Sequence, residues 1–411
     1  MNKKTIEDID VRGRRVLVRL DLNVPLCPAG EVADDRRIRS ALPTVTHLVT
    51  DGGRVILMSH LGRPTGTPDD RDRFSLAPVA RRLAELLGRP VSLLGDCIGD
   101  QVARQVSQIG DGEVCLLENL RFHEAETIKD KKAAGDPELH EKKRAFAAGL
   151  AALADVYVND AFGTCHRDNA SMLTVPQLMA GKPRVVGYLV QKELDFLGRA
   201  MADPRRPFVC VLGGAKVSDK LGVIRALLDR CDTILIGGAM AYTFLAADGL
   251  EVGNSLLERE LLDTARSLRQ QAGARLRIPV DSVVAPSVQD AAAARTCEGP
   301  VPTGQMGLDI GPRTIAGYGD VLATARTVFW NGPMGVFETP PFDAGTLAIA
   351  RQLAAATSRG AVTIIGGGDS AAAVEQAGLA GKITHVSTGG GASLEFLEGK
   401  RFAALDVLDG A

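Results

Sequence analysis

No two cysteines in this chain are spaced C-x-x-C, and the seven that occur are odd in number and scattered from Cys27 to Cys297. That pattern argues against a disulfide framework and a structural zinc site, and predicts free thiols. Long hydrophobic runs are missing too. No stretch approaches the roughly 20 apolar residues of a bilayer span, and the opening MNKKTIEDID turns acidic where a signal peptide needs its apolar core. The expectation is a cytoplasmic protein with no membrane partner. Nor is one sign of charge in excess: Lys and Arg total 48 against 50 for Asp and Glu, with no basic run, which argues against nucleic acid as a partner. Finally, the phosphate loop G-x-x-x-x-G-K-[ST] does not occur.

What is present is an ordinary globular composition, 45% apolar and 24% charged. At 411 residues the chain exceeds the size at which one core keeps growing, so two domains of roughly 200 residues are expected. Short β-branched runs alternate with helical stretches, the signature of an α/β fold with parallel sheets covered by helices. In the first half the runs are VLVRLDLNVP, VILMSHLGRP, VCLLENLRF and VYVNDAFG, each ending in polar or charged residues. In the second they are FVCVLGGAK, TILIGGAM, VFWNGPMG, VTIIGGGDS and ITHVSTGGGAS, each running into glycine. Ligands of open α/β sheets bind at the carboxyl ends of strands, so one half offers side chains there and the other offers backbone. The boundary falls near residues 180 to 205, where Leu189, Val190, Leu194, Phe196, Leu197 and Met201 recur at helical spacing and make the linker itself helical. The charged, Ala-rich stretch from Lys129 to Ala154 also reads as helix.

Arg19, Asp21 and Asn23 alternate at one strand end, which would point all three at one ligand. Arg37, His60 with Arg63, Arg121, and His166 with Arg167 follow at or after the strand ends. Any one of these arginines alone reads as a surface residue. Their recurrence at four strand ends reads instead as a cleft for a small dianion, because guanidinium groups bind carboxylate and phosphate bidentately. His60 is assigned ligand binding and not base catalysis, since a carboxylate ligand is already ionised at neutral pH. His47, inside an apolar-spaced helix, and His123 receive no function.

In the second half GGAKVSDK (Gly213 to Lys220) follows a strand and reads as opening a helix, with Lys216 and Lys220 one turn apart; such a turn presents backbone N–H groups to phosphate. GGGDSAAAVEQA (Gly366 to Ala377) repeats the arrangement and adds Asp369 as a magnesium-side carboxylate. STGGGASLEFLE (Ser387 to Glu398) repeats it again. One glycine turn is weak evidence, but several in one half favour a nucleotide site. Gly366, Gly368 and Ala371 also match G-x-G-x-x-A, which raises a dinucleotide-dependent oxidoreductase; Ser387, Thr388 and glycines stand where its ribose-binding acid belongs.

Together RLDLNVP, SHLGRP, LENLRF, NDAFGTCHR, LGGAKVSDK, WNGPMGVFE, GGGDS and STGGGASLE, in this order from Arg19 to Glu395, resemble the phosphoglycerate kinase family. The resemblance implies two Rossmann-like domains, each a mostly parallel sheet covered by helices, joined by a helical hinge. Residues 1–185 would bind 3-phosphoglycerate, 186–204 form the linker helix, 205–396 bind nucleotide, and the tail 397–411 pack on the N-terminal domain. It further implies a monomer that transfers a phosphoryl group reversibly between ATP and 3-phosphoglycerate, as MgATP or MgADP, by direct in-line transfer with domain closure. Carried over position by position, the substrate set is Asp21, Leu22, Asn23, Arg37, His60, Leu61, Gly62, Arg63, Arg121 and Arg167. The nucleotide set is Gly213, Gly214, Lys216, Lys220, Gly237, Gly238, Gly307, Asn331, Glu338, Gly367, Gly368, Asp369 and Ser370. Arg37, Lys216, Gly368 and Gly391 are implied as catalytic and Asp369 as the metal ligand. A scaffold that lost activity is the remaining rival, and the joint presence of Arg37, Lys216, Lys220 and Asp369 argues against it.

Overall fold

The computed structural model describes residues 2–411 except the side chains of Arg199 and Met201, so the apolar position expected at Met201 lies outside the described residues. The chain divides into two compact units, one running to Asp195 and including Arg401–Ala411, the other Phe196–Lys400.

The first unit holds β1 (Arg15–Leu20), β2 (Arg54–Met58), β3 (Val91–Leu93), β4 (Val114–Leu116), β5 (Val156–Asp160) and β6 (Arg184–Val186). They form one parallel sheet in the order β3-β4-β2-β1-β5-β6. A parallel sheet is covered on both faces, so its strands read as continuous apolar runs. Val16, Val18, Val55 and Leu57 pack with Ile38, Val45 and Leu48 of the helix Arg36–Thr50 and with Val79 and Leu83 of the helix Ala77–Leu87. Strand order reverses between β1 and β5, which puts the carboxyl ends of β2, β1 and β5 at the position where such sheets bind ligands. Against the edge strand β6, Asp409 accepts hydrogen bonds from the Arg184 backbone N–H at 2.9 Å and its guanidinium at 2.8 Å, while Lys4 N–H donates to the Asp409 carbonyl at 3.0 Å.

The stretch from Lys129 to Ala154 is two helices, Asp130–Ala133 and Pro137–Ala152, not one. Asp136 restarts the helix: its side chain accepts from the N–H groups of Glu138 and Leu139, and Pro137 supplies a preset φ at the first position.

The second unit holds β7 (Phe208–Leu212), β8 (Thr233–Ile236), β9 (Leu276–Arg277), β10 (Asp281–Ala285), β11 (Arg295–Glu298), β12 (Met306–Ile310), β13 (Thr327–Asn331), β14 (Val362–Gly366) and β15 (His385–Val386). Six of them make a parallel sheet ordered β15-β14-β13-β7-β8-β9, the doubly wound order of nucleotide-binding folds, with its reversal between β7 and β13. The remaining three form a separate antiparallel sheet, β11-β10-β12, which the sequence pattern did not disclose. The expected fold class is thus observed, and all nine runs read as strands are strands. Among the described residues no helix is long and apolar enough to cross a membrane.

The helix Tyr188–Ala202 occupies the segment predicted to be helical. Asp160, at the end of β5, caps its start by accepting from the N–H groups of Leu189 and Val190 at 2.9 and 3.1 Å. A side chain at Gly187 would collide with this carboxyl group. Burial pushes Asp160 up to about 7, against the opposing effect of its bonds to Thr44, Val190 and Leu189. The folded pKa lies above the unfolded value near 4, so the folded state retains a proton that the unfolded chain has released. This contribution is therefore whole below about pH 4 and is lost as pH rises to about 7. Asp160→Asn keeps an acceptor and cannot ionise, so its stability relative to the parent should rise across that window. Urea midpoints measured at about pH 5 and about pH 8 test this; a difference independent of pH would overturn it.

Candidate active site

In the first unit the cationic side chains leave neighbouring strands. Arg37 sits in the helix after β1, His60 and Arg63 follow β2, Arg121 follows β4 and Arg167 follows β5. Arg63, Arg121 and Arg167 line one pocket of about 650 Å³, together with Lys129. Their charges act on one another: burial, with Arg167 and Arg19 beside it, lowers Arg121 to about 10, and burial also lowers Arg167. Both remain cations at neutral pH. Arg37 pairs with the Asp21 carboxylate.

Arg19 is not placed to meet a ligand. Strand β1 ends at Leu20, and the Arg19 side chain turns inward to full burial, donating to Ser171 Oγ at 2.9 Å and to the Leu20 carbonyl, 4.0 Å from Glu126. Its third task fixes His60. Arg19 Nη2 lies 3.1 Å from His60 Nδ1, and because a guanidinium only donates, Nδ1 accepts and the ring proton sits on Nε2. Burial, then the charges of Arg19, Arg121, Arg167 and Arg37, hold His60 well below its ordinary pKa. A neutral ring with Nδ1 engaged has one N–H to offer a ligand and no lone pair for base catalysis.

The loops bearing these groups are tied by residues that sequence reasoning passed over. Asn119 Oδ1 accepts from the N–H groups of Leu61 and Arg121 at 3.2 and 3.1 Å, and its Nδ2 donates to the Leu61 carbonyl at 2.8 Å. Ser59 Oγ accepts from Leu22 N–H at 2.8 Å. Leu22 and Leu61 are buried with these backbone groups engaged, so they shape the site from beneath. Asn23 Oδ1 holds the Gly62 N–H at 2.8 Å, and Arg121 donates to the Gly62 carbonyl at 2.5 Å. Gly62 itself has φ +59°, and any side chain there would strike Phe74. Asp168 accepts from Asp130 N–H at 2.8 Å and pairs with Lys129 at 3.2 Å, while Lys143 reaches both Asp130 and the Asp168 carbonyl at 2.5 Å. The charged segment after Thr127 thereby braces the arm carrying Arg167.

In the second unit Gly213 and Gly214 follow β7, Gly237 and Gly238 follow β8, Asn331 ends β13, and Gly367 to Ser370 follow β14, four adjacent strands of the sheet. Gly213 N–H donates to the Asn331 carbonyl at 2.9 Å, Gly238 N–H to the Met334 carbonyl at 2.9 Å, and Lys220 Nζ to Asn331 Oδ1. Gly213, Gly237 and Gly238 are sterically required, for an added Cβ would meet Pro333, Met334 or Gly214. Gly368 and Gly391 have nothing within 4 Å of that position and are exposed. Packing gives no reason for glycine there.

One expectation changes here. GGAKVSDK does not open a helix: a turn closed by Lys220 N–H on the Val217 carbonyl intervenes, the helix begins at Leu221, and Lys216 and Lys220 are not stacked on one helical face. Val217, wholly buried, pins that turn. Gly307 lies in β12 of the antiparallel sheet with Tyr242 filling the space beside it, and donates to Ser255 Oγ at 2.9 Å. Ser370 is buried and its Oγ accepts from Gly332 N–H at 2.7 Å, so its side chain supports the loop. Gly366 to Ala377 behaves as expected, with Gly367 at φ +92° and a helix from Gly368 to Gln376 that presents the exposed Asp369 in its first turn. Glu338 is exposed beyond β13 and Gly391 begins the helix Gly391–Leu397.

Elsewhere Asp96, Cys97 and His123 have potential ligand atoms within 4.8 Å. They already satisfy one another and their surroundings: His123 Nε2 is 2.6 Å from Asp96 Oδ1, and the Cys97 thiol donates to the Glu118 carbonyl at 2.9 Å.

Guanidinium groups gathered in one unit and glycine turns at the carboxyl edge of a doubly wound sheet in the other define an α/β phosphotransferase. The phosphoglycerate kinase family model matches residues 6–400. The chain is 53% identical over 414 residues to the phosphoglycerate kinase of Rhodopirellula baltica, covering 100% of both, and 53% identical over 412 residues to that of Pelotomaculum thermopropionicum, covering 99% of both. Among solved structures it is similar to the phosphoglycerate kinase of Coxiella burnetii, with TM-score 0.83, 37% identity and 98% of each chain covered. The enzyme of Pyrococcus horikoshii OT3 gives TM-score 0.82 and 31% identity over 99% of this chain and 98% of that one. The chain belongs to the phosphoglycerate kinase family, enzymes that transfer a phosphoryl group to a carboxyl group.

Proposed function

We propose that this enzyme catalyses the reversible, magnesium-dependent transfer of the ATP γ-phosphoryl group to the carboxylate of 3-phosphoglycerate, giving 1,3-bisphosphoglycerate and ADP, as a cytoplasmic monomer serving glycolysis and gluconeogenesis. The observation that carries this reading is the set of mutually interacting cations Arg37, Arg121 and Arg167 around a neutral His60, with Arg63 lining the same pocket as Arg121 and Arg167. Such a set suits a small molecule bearing both phosphate and carboxylate.

In this reading Arg63, Arg121, Arg167 and the His60 Nε2 proton hold the acid, with Asp21 and Asn23 at its other end. The acceptor oxygen is ionised on arrival, so no base is required. Arg37 and Lys216 stabilise the charge on the equatorial oxygens as the phosphoryl group passes in line, and the open backbone at Gly368 and Gly391 lets its oxygens approach N–H donors. Lys220, Gly213, Gly214, Gly237, Gly238, Gly367 and Asn331 cradle the nucleotide, with Glu338 at its ribose and Gly307 beyond. Asp369 fits a hard cation: it is an exposed carboxylate whose charge reaches the half-buried Lys220, and magnesium takes one or two carboxylates with phosphate oxygens. Bound magnesium would neutralise phosphate charge.

A coupled assay with ATP, magnesium and 3-phosphoglycerate decides the reading; no turnover, or hydride transfer with a nicotinamide cofactor, would overturn it. Asp369→Ala is expected to weaken MgATP use while 3-phosphoglycerate affinity stays nearly intact, as calorimetric titration of each ligand can check. Equal loss of both would mean that the metal assignment is wrong. Because the two candidate half-sites belong to different units, turnover further requires the units to close. The radius of gyration from small-angle scattering should then fall most with 3-phosphoglycerate plus a non-transferable MgATP analogue. An active enzyme whose scattering ignores that pair would refute closure.

A further inference from the structure

Two thiols outside the site lie side by side in the second unit. Cys210 is the central residue of β7, and Cys231 lies in the turn between the helix Leu221–Leu228 and β8; their sulfurs are 2.9 Å apart. Both are buried, Cys210 wholly and Cys231 at 4% exposure. The separation is closer than unbonded sulfurs ordinarily rest, and only about 0.9 Å beyond an S–S bond. The backbone around them is pinned from both sides. Asp232 N–H donates to the Phe208 carbonyl at 2.9 Å, Phe208 N–H donates to the Asp232 carboxylate at 2.7 Å, and Cys231 N–H donates to the Leu227 carbonyl at 2.8 Å.

We propose that Cys210 and Cys231 form a reversible oxidation site, a dithiol that a two-electron oxidant of the peroxide class converts to an intramolecular disulfide. One sulfur attacks a peroxide oxygen, giving a sulfenic acid and releasing the first water. The second sulfur then displaces the hydroxyl as a second water, and the S–S bond replaces two S–H bonds. Burial keeps the Cys210 thiol protonated, so the slow step is opening of the turn that carries Cys231. The new bond closes a loop that contains Gly213 to Lys220 and the helix after it, and shrinks the freedom of that loop in the unfolded chain.

The test uses the full chain carrying Cys27→Ser and Cys297→Ser, which removes the two half-buried thiols. After hydrogen peroxide treatment and digestion without reductant, mass spectrometry should find the Cys210 and Cys231 peptides joined and lighter by two hydrogens. The Tm should rise by roughly 5 °C or more and return on adding dithiothreitol. Cys231→Ala and, separately, Cys210→Ala should abolish the linked peptide and the shift. If neither variant folds, the linked peptide in the parent still decides. Recovery of both residues as thiols, or as separate sulfinic acids, from folded and oxidised protein would overturn the proposal. Peptide linkage is read without any activity measurement, so this outcome is independent of the catalytic reading.

Discussion

Arg37→Ala is expected to lower kcat on the order of a hundredfold or more, with a much smaller change in the KM for 3-phosphoglycerate. A cation aimed at charge that develops during transfer acts mainly in the transition state, whereas Arg63, Arg121 and Arg167 remain to bind the acid. Folding should survive, because Arg37 is 36% exposed. Its partner Asp21 stays near Arg167, so the loss strands no carboxylate. Steady-state kinetics decide the point: a near-normal kcat with only a raised KM would reduce Arg37 to a binding residue.

Arg19→Met should cost about 3–5 kcal/mol of stability, a large part of what a domain has. The change keeps length and removes charge beneath the site. Glu126, with no exposed side-chain surface, would keep its bonds from Ser171 and Asn169 and lose its cation. His60 would lose the donor that fixes its tautomer. Urea unfolding measures the cost, and Arg19→Met combined with Glu126→Gln should recover much of it, since the residual penalty is an unpaired buried charge. A single-variant loss below roughly 1 kcal/mol would show that the pair carries little energy.

Arg19 also shows where sequence reading runs out. Alternation along a strand predicts one face for Arg19, Asp21 and Asn23 only if the strand continues and one face meets solvent. Here β1 stops at Leu20 and is buried on both sides. The same double burial made nine strands readable as apolar runs, and left β3, β6 and β9 too short, and the mostly exposed β11 too polar, to stand out. Candidate ligands at strand ends were legible because their chemistry is carried by residue type. Asn119 was not, because its role lies in bonds to Leu61, 58 residues away. Nor was the bracing of Arg167 by Lys129 through Asp168, which depends on tertiary placement alone.

The grip of Asp409 on Arg184 bears on how the protein is made. Residues 401–411 leave the ribosome only after the entire second unit, yet they belong to the first. The second unit is one uninterrupted stretch and can mature as soon as it emerges. The first must wait with β6 lacking the contacts that Asp409 makes with Arg184. During translation the earlier-synthesised unit is therefore the more exposed to proteolysis, and the half of the molecule begun first is finished last.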